Sequence, residues 1–284
     1  ALGLLGTAGY HTPNLDTLAR QGIAFRWGYC PSPVCTPARV SMITGQYPTR
    51  HGAYQIGMAP VPALDGPTLP RVLGEAGYHT ACIGKTHFVS RPLESQHIGG
   101  TEEEPLEEFW DDFDGPYCGF EFLRHNAAHT CNKAPNAHYR AWLRKKGKNL
   151  DHLHMPIMEH EGKGVPCGPW QGMDPADTST AWITEEGIGW IDRVKDDGPW
   201  FCMMNYQDPH APYVCPEPYY SRVDMSGVEP ASFREGEMDD KPPFYKSFLD
   251  SFRYLDDEGN NLQDHHRIAS LFRSNFPSDP LKGL

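Results

Sequence analysis

Two stretches of this chain follow the same pattern. Residues 79–88, HTACIGKTHF, and residues 200–210, WFCMMNYQDPH, each start as an apolar run and end in polar residues that include a histidine. Each follows a segment of helical character that closes on a glycine, residues 68–78 and residues 177–198. In the second segment Ala181, Ile188, Ile191 and Val194 fall on one helical face. Helix followed by buried strand, repeated, is the signature of an α/β fold with a mostly parallel central sheet flanked by helices. In such sheets ligands bind beyond the carboxyl ends of the strands, where these two polar endings lie.

The rest of the first ninety residues agrees with that pattern. Thr12 is placed to cap a helix with Pro13 in its first turn and Gly22 at its stop. Residues 23–30, IAFRWGYC, read as a short strand. A helix follows, starting at Cys35 and running to about Thr44, with Gly45 as its stop. Beyond residue 90 the pattern weakens. Residues 99–115 are acidic and read as a solvated loop or helix, and residues 136–149 as a basic surface helix. Residues 152–170 look like a long excursion whose scattered histidines lack ligand spacing. From residue 224 the chain is a Pro-rich, acidic, irregular tail; Asp256, Asp257, Asp264 and His265 there do not have the spacing of an EF-hand loop.

Composition excludes several classes. The formal net charge of −12 opposes nucleic-acid binding. No apolar run is long enough to span a bilayer. The chain begins at Ala1 without a recognisable leader, and nothing assigns a compartment. Its 28 Gly and 27 Pro call for long loops between short elements. Eight cysteines are present with no C-x-x-C pair, so a zinc ribbon is not expected. Cys82 and Cys202 lie in apolar runs and read as small core residues.

Three patches carry candidate chemistry. Cys35 opens a helix, where free N–H groups and the dipole favour an anion, and Arg39 follows one turn later on the same face. Lys85 and His87 follow the first buried strand; in an extended chain they would point to one side. His210 follows the second, in a Pro-braced turn. Taken alone, each also fits a structural role: a core cysteine, a polar strand end, an exposed histidine. Together they bring Arg, Lys and two His to strand ends, a set suited to a tetrahedral oxyanion such as sulfate or phosphate.

These residues resemble a known family. CTPARVSMITG, residues 35–45, resembles the signature of the type I, formylglycine-dependent sulfatases of the alkaline-phosphatase-like superfamily, whose core is Cys-x-Pro-(Ser/Ala)-Arg followed by a helix and a Gly. TPNLDTLARQGIAF, GYHTACIGKTHF and DPHAPY resemble, in the same order, its opening helix, its Gly-Lys-x-His strand and its second substrate-histidine segment. The resemblance implies an alkaline-phosphatase-like sandwich, one partial catalytic domain over residues 1–284, with residues 224–284 as the irregular tail. It implies a sulfuric-ester hydrolase, and a small sulfated sugar, aryl or alkyl ester as substrate.

The resemblance also implies roles. Cys35 is the residue that a formylglycine-generating enzyme oxidises to an aldehyde, whose hydrate is nucleophile and metal ligand. Arg39 holds the hydrate, Lys85 binds a sulfate oxygen, His87 orients the hydrate and aids elimination, and His210 protonates the leaving group. The metal is a divalent cation, calcium first, with magnesium or manganese as alternatives. The family's Asp pair after its first strand, and its later acidic pair with a Lys, have no match here. The sequence is therefore expected to lack segments at both ends and, as written, to hold metal weakly and to be inactive. Three other readings stay open: a phosphonate monoester or phosphodiester hydrolase of the same superfamily, a non-catalytic remnant, and a thiol hydrolase using unmodified Cys35.

Overall fold

The computed structural model describes residues 3–6, 11–55, 61–89, 109–126, 137–148, 167–170, 172–210, 213–222, 239 and 241–243. Contacts gather into two compact units, one of residues 28–154 and 173–210, the other of residues 1–27, 155–172 and 211–284.

The first unit is built on a three-stranded sheet, and the apolar runs of the sequence form two of its strands. β1 is His79–Gly84, β2 is Phe122–His125 and β4 is Trp200–Asn205, in the order β2-β1-β4. Both pairings are parallel. The register sets Gly84 level with His125 on one side and with Asn205 on the other. The three carboxyl ends are therefore flush, and the chain leaves all three along one edge.

Alternation along β1 assigns its residues to two layers. Ala81 and Ile83 join Tyr139, Leu143, Trp182, Ile183 and Trp190 on one face. Cys82 turns the other way and packs with Val40, Ile43, Phe88, Phe120 and Leu123. The helix α2, Cys35–Thr44, thus covers one face through Val40 and Ile43. Each such side chain contributes about 1.5–3 kcal/mol on leaving water. The long helix Ser179–Val194 covers the other through Trp182, Ile183 and Trp190. Thr178 caps it, accepting from Ala181 N at 3.1 Å. Thr68 precedes the helix Leu69–Glu75, which leads into β1.

Gly84 could not be another residue. Its φ is +98°, and a Cβ there would run into the carbonyl oxygen of Asn205 and the Ile183 side chain. The close approach of β1 to β4 at the sheet edge needs a bare backbone at this position.

The helix Ala137–Lys145 corrects the expectation of a basic surface helix. Its last turn carries Arg144 and Lys145, which pair with Asp111 of the short helix Phe109–Asp112. Yet Ala137, His138, Tyr139, Ala141 and Leu143 are buried, because an apolar face hides between the charges. Cys82 is fully buried, and Cys202 is half-buried beside the second core cluster. Burial raises both thiols, Cys202 to about 11.

The second unit, as described, contains the helix Pro13–Gln21 with Thr12 at its cap position and Gly22 at its end. Thr12 Oγ1 donates to Asp16 Oδ1 at 2.8 Å and accepts from Gly3 N at 2.9 Å. A two-stranded parallel ribbon pairs β3, Cys167–Trp170, with β5, Tyr213–Pro216.

Residues 23–30 are not a strand. Ile23, Phe25, Trp27 and Tyr29 are each at least 80% exposed. The alternation of apolar side chains writes a strand face, but a strand also needs a backbone partner, and none pairs with this segment among the described residues. His152, His154 and His160 and the four tail residues from Asp256 to His265 lie outside the described residues, as does nearly all of the tail beyond 224.

Candidate active site

Cys35 is the first residue of α2, and Val34 at the cap position offers no side-chain oxygen. The free N–H groups of the first turn therefore have no side-chain cap from the cap residue itself. Gly45, at φ 66°, ends the helix in a left-handed turn, its N–H donating to Ser41 O at 2.9 Å.

Three of the sequence candidates meet at this helix mouth. Lys85 Nζ lies 3.8 Å from Cys35 Sγ, within reach of a hydrogen bond to sulfur. Arg39 Nη1 donates to Lys85 O at 2.8 Å, so the guanidinium fastens α2 to the residue just past β1. Thr36 Oγ1 donates to His87 O at 3.0 Å and holds the turn from the other side. Lys85 is 2% exposed. Burial pulls its ammonium below the ordinary lysine value, and Arg39 adds to this, while Cys35 opposes it. Arg39 is lowered as well, first by burial, with Cys35 again opposing. Two cations stand crowded at one thiol, an arrangement that stabilises an anion placed between them.

His87 belongs to the same turn but not through strand alternation. β1 ends at Gly84, and His87 has a φ of 50°, so the extended chain needed for a shared direction with Lys85 is absent. Its backbone is held beside Thr36. His210 lies on the loop after β4, exposed, with its N–H donating to Gln207 O at 2.9 Å. That loop leaves from Asn205, whose carbonyl accepts from Lys85 N at 3.0 Å. The sheet edge therefore carries Lys85 and His210 beyond the ends of neighbouring strands.

A cavity of about 1050 Å³ opens at the thiol. Its walls include Tyr29, Cys30, Met42 and Tyr47 with Arg39 and Asn205. Asn205 was not among the sequence candidates; its signal was its place as the first polar residue after the apolar run of β4. Ser41 also lines the cavity, and it sits 2.9 Å from His51 Nε2. That pair is not a nucleophile and its base. His51 Nδ1 accepts from Ala53 N at 3.1 Å, so the proton is on Nε2 and is donated to Ser41. Burial lowers His51 and keeps it neutral.

The end of β2 holds a second polar group that sequence reasoning missed. His125 Nδ1 is 3.0 Å from Thr86 Oγ1. His138 Nδ1 accepts from His125 N at 2.8 Å, and His138 Nε2 donates to Phe113 O at 2.6 Å. Burial pushes His138 down to about 3, with smaller opposing help from its backbone partner. Among the described residues no cluster of three His, Cys, Asp or Glu could hold a metal ion.

The family model for sulfatases matches residues 1–263. Among curated relatives, the uncharacterised sulfatase YidJ of Escherichia coli K12 is 27% identical over 83% of this chain and 41% of its own length. An arylsulfatase of Clostridium perfringens is 28% identical over 77% of the chain and 42% of its length. A choline-sulfatase of Rhizobium meliloti is 28% identical over 72% and 34%. The chain thus spans about two fifths or less of the length of these relatives. In fold, it matches the crystal structure of a phosphonate monoester hydrolase of Agrobacterium radiobacter with a TM-score of 0.59 at 23% identity, over 95% of this chain and 52% of that one. The α/β sheet with its flanking helices is therefore of the alkaline-phosphatase-like type, and the chain belongs to the sulfatase family.

Proposed function

We propose that this chain carries the nucleophile half of a sulfuric-ester hydrolase site, in which Cys35 is the precursor of a formylglycine. The observation that carries the reading is Lys85 Nζ at 3.8 Å from Cys35 Sγ, with the Arg39 guanidinium bound to the Lys85 carbonyl. A thiol held against two cations at a helix mouth is poised for an anionic substrate.

The steps follow from the chemistry of a hydrated aldehyde at position 35. One hydroxyl attacks sulfur and gives up its proton to solvent, and the S–O bond to the alcohol breaks with its electron pair leaving on oxygen. His210 delivers a proton to that oxygen, a contribution on the order of 10²–10⁴-fold. Lys85 and Arg39 hold the charge gathering on the sulfate oxygens. The second hydroxyl then gives up its proton to His87, and the C–O bond to sulfate breaks as the aldehyde re-forms. Water adds to the aldehyde and restores the hydrate, His87 passes its proton to the departing sulfate, and His210 regains a proton from solvent. The sum is ester plus water giving alcohol plus hydrogen sulfate.

A divalent cation belongs to what the resemblance implies, and the described residues do not fit one. The groups packed on Cys35 are cations, and no trio of His, Cys, Asp or Glu converges there. No step above runs through a metal. The same cation pair would accept a phosphonate monoester, the substrate named by the fold neighbour, or a phosphodiester. Rates on 4-nitrophenyl sulfate and on an aryl phosphonate monoester, with residue 35 shown to be converted, separate the two. Preference for the sulfate is expected. Hydrolysis of the phosphonate alone would replace this reading with the other, and hydrolysis of neither would leave a binding role.

A further inference from the structure

Two side chains hold the loop that carries His210: Asp208, which accepts from Thr180 Oγ1 at 2.6 Å, and Gln207, which has had no role so far. Gln207 is 4% exposed, although exposed Tyr206 and Asp208 flank it. Its Nε2 donates to Asn126 O at 3.1 Å, and its backbone O accepts from His210 N at 2.9 Å. Asn126 N in turn donates to Gly84 O at 3.2 Å, and Gly84 precedes Lys85. A continuous path of hydrogen bonds and chain therefore runs from His210 through Gln207 and Asn126 to Lys85. The amide orientation is fixed, since a flipped amide would set its oxygen against the Asn126 oxygen. Its Oε1 then faces elsewhere, buried and, among the described residues, without a hydrogen-bond partner. A residue present only to fill space would do so better as Leu or Met, which bury no unpaired oxygen.

We infer that Gln207 is a positioning residue: it clamps the His210 loop onto the end of β2 and so sets His210 relative to Lys85. The inference rests on the proposed function only where His210 serves as the acid for the departing alcohol. Two variants test it. Gln207→Met keeps the volume and loses the N–H, and Gln207→Glu keeps the shape and, once ionised at the assay pH, cannot donate. Each is assayed on sulfate esters of alcohols that differ in acidity. An acid moved out of place matters most for a poor leaving group. The kcat for an alkyl or unsubstituted phenyl sulfate is expected to fall by about 10–100-fold, and that for 4-nitrophenyl sulfate by no more than about threefold. Adding either Gln207 substitution to His210→Ala should cause little further loss. Equal losses on all esters, or losses that multiply fully with His210→Ala, would overturn the assignment. Should the unaltered protein hydrolyse no sulfate ester, the functional reading fails, and amide exchange decides the clamp by itself. Faster exchange over residues 205–213 in both variants, with the helix Ser179–Val194 unchanged, supports it; unchanged exchange in the loop rejects it.

Discussion

The mouth of α2 and the end of β2 stand along one sheet edge, and both gather ionisable side chains, yet they are built on opposite rules. At the end of β2 the buried His138 has both ring nitrogens bonded and is held neutral. It spends its whole hydrogen-bonding capacity on backbone, and nothing is left for a ligand. At the mouth of α2, burial pulls both Lys85 and Arg39 below their ordinary values, and Lys85 turns its head toward a thiol rather than a carboxylate. Burial costs a charge several kcal/mol unless something compensates it. A neutral, saturated group is scaffold; a buried cation facing a weak partner is waiting for a stronger one. Position on the strand edge alone would not have separated the two.

The contrast can be broken or sharpened by substitution. Lys85→Met should have the largest effect, lowering kcat on a sulfate ester by about 10²–10³-fold while leaving thermal stability equal or higher, because a buried charge goes with it. A loss of activity accompanied by unfolding would mean that Lys85 is scaffold too. Gly84→Ala is next. It joins both regions, standing level with His125 and Asn205 and just before Lys85, and should cost about 3 kcal/mol or more in denaturant unfolding. A variant as stable as the parent would refute the tight edge.

A smaller effect should appear with acid. His138 stays neutral in the fold down to about 3, whereas the unfolded chain takes up the proton near 6.5. The unfolded state then binds more protons, so stability falls as pH drops from about 6.5 toward 3 and is flat above that window. The slope is roughly 1.4 kcal/mol per pH unit from this one group. In His138→Gln that contribution to the slope should vanish; an unchanged acid profile would show that His138 is already charged when folded. The smallest effect is expected of Thr36→Val, which removes the hydroxyl that holds His87 O and should cost about 1 kcal/mol. A much larger loss of activity than of stability would move His87 from this backbone role to direct contact with substrate.

What could be read in advance depended on what each residue's signal was made of. β1 was legible because both its faces are covered, which writes a continuous apolar run; β4 carries the same kind of run although Trp200 and Met204 stay exposed. β2 was not, for it has four residues, and only Leu123 and His125 are buried; its identity comes from pairing with β1. The helix Ala137–Lys145 hid its apolar face among Arg and Lys. Residues 23–30 carry the alternation of a strand without the partner that makes one. At the site, the nearness of Lys85 to Cys35 is a fact of two distant segments meeting, and only the family motif hinted at it. Gln207 and Asn126 have no spacing signature; they stand two residues and one residue past a strand end, and burial alone distinguishes them.

The central claim concerns what residue 35 becomes. The protein produced together with a formylglycine-generating enzyme should yield a peptide over residue 35 whose mass shows a CH2SH group replaced by CHO, and its sulfatase rate should rise in proportion to the converted fraction. Undiminished turnover by protein in which residue 35 remains a thiol, or by Cys35→Ala, would contradict the account.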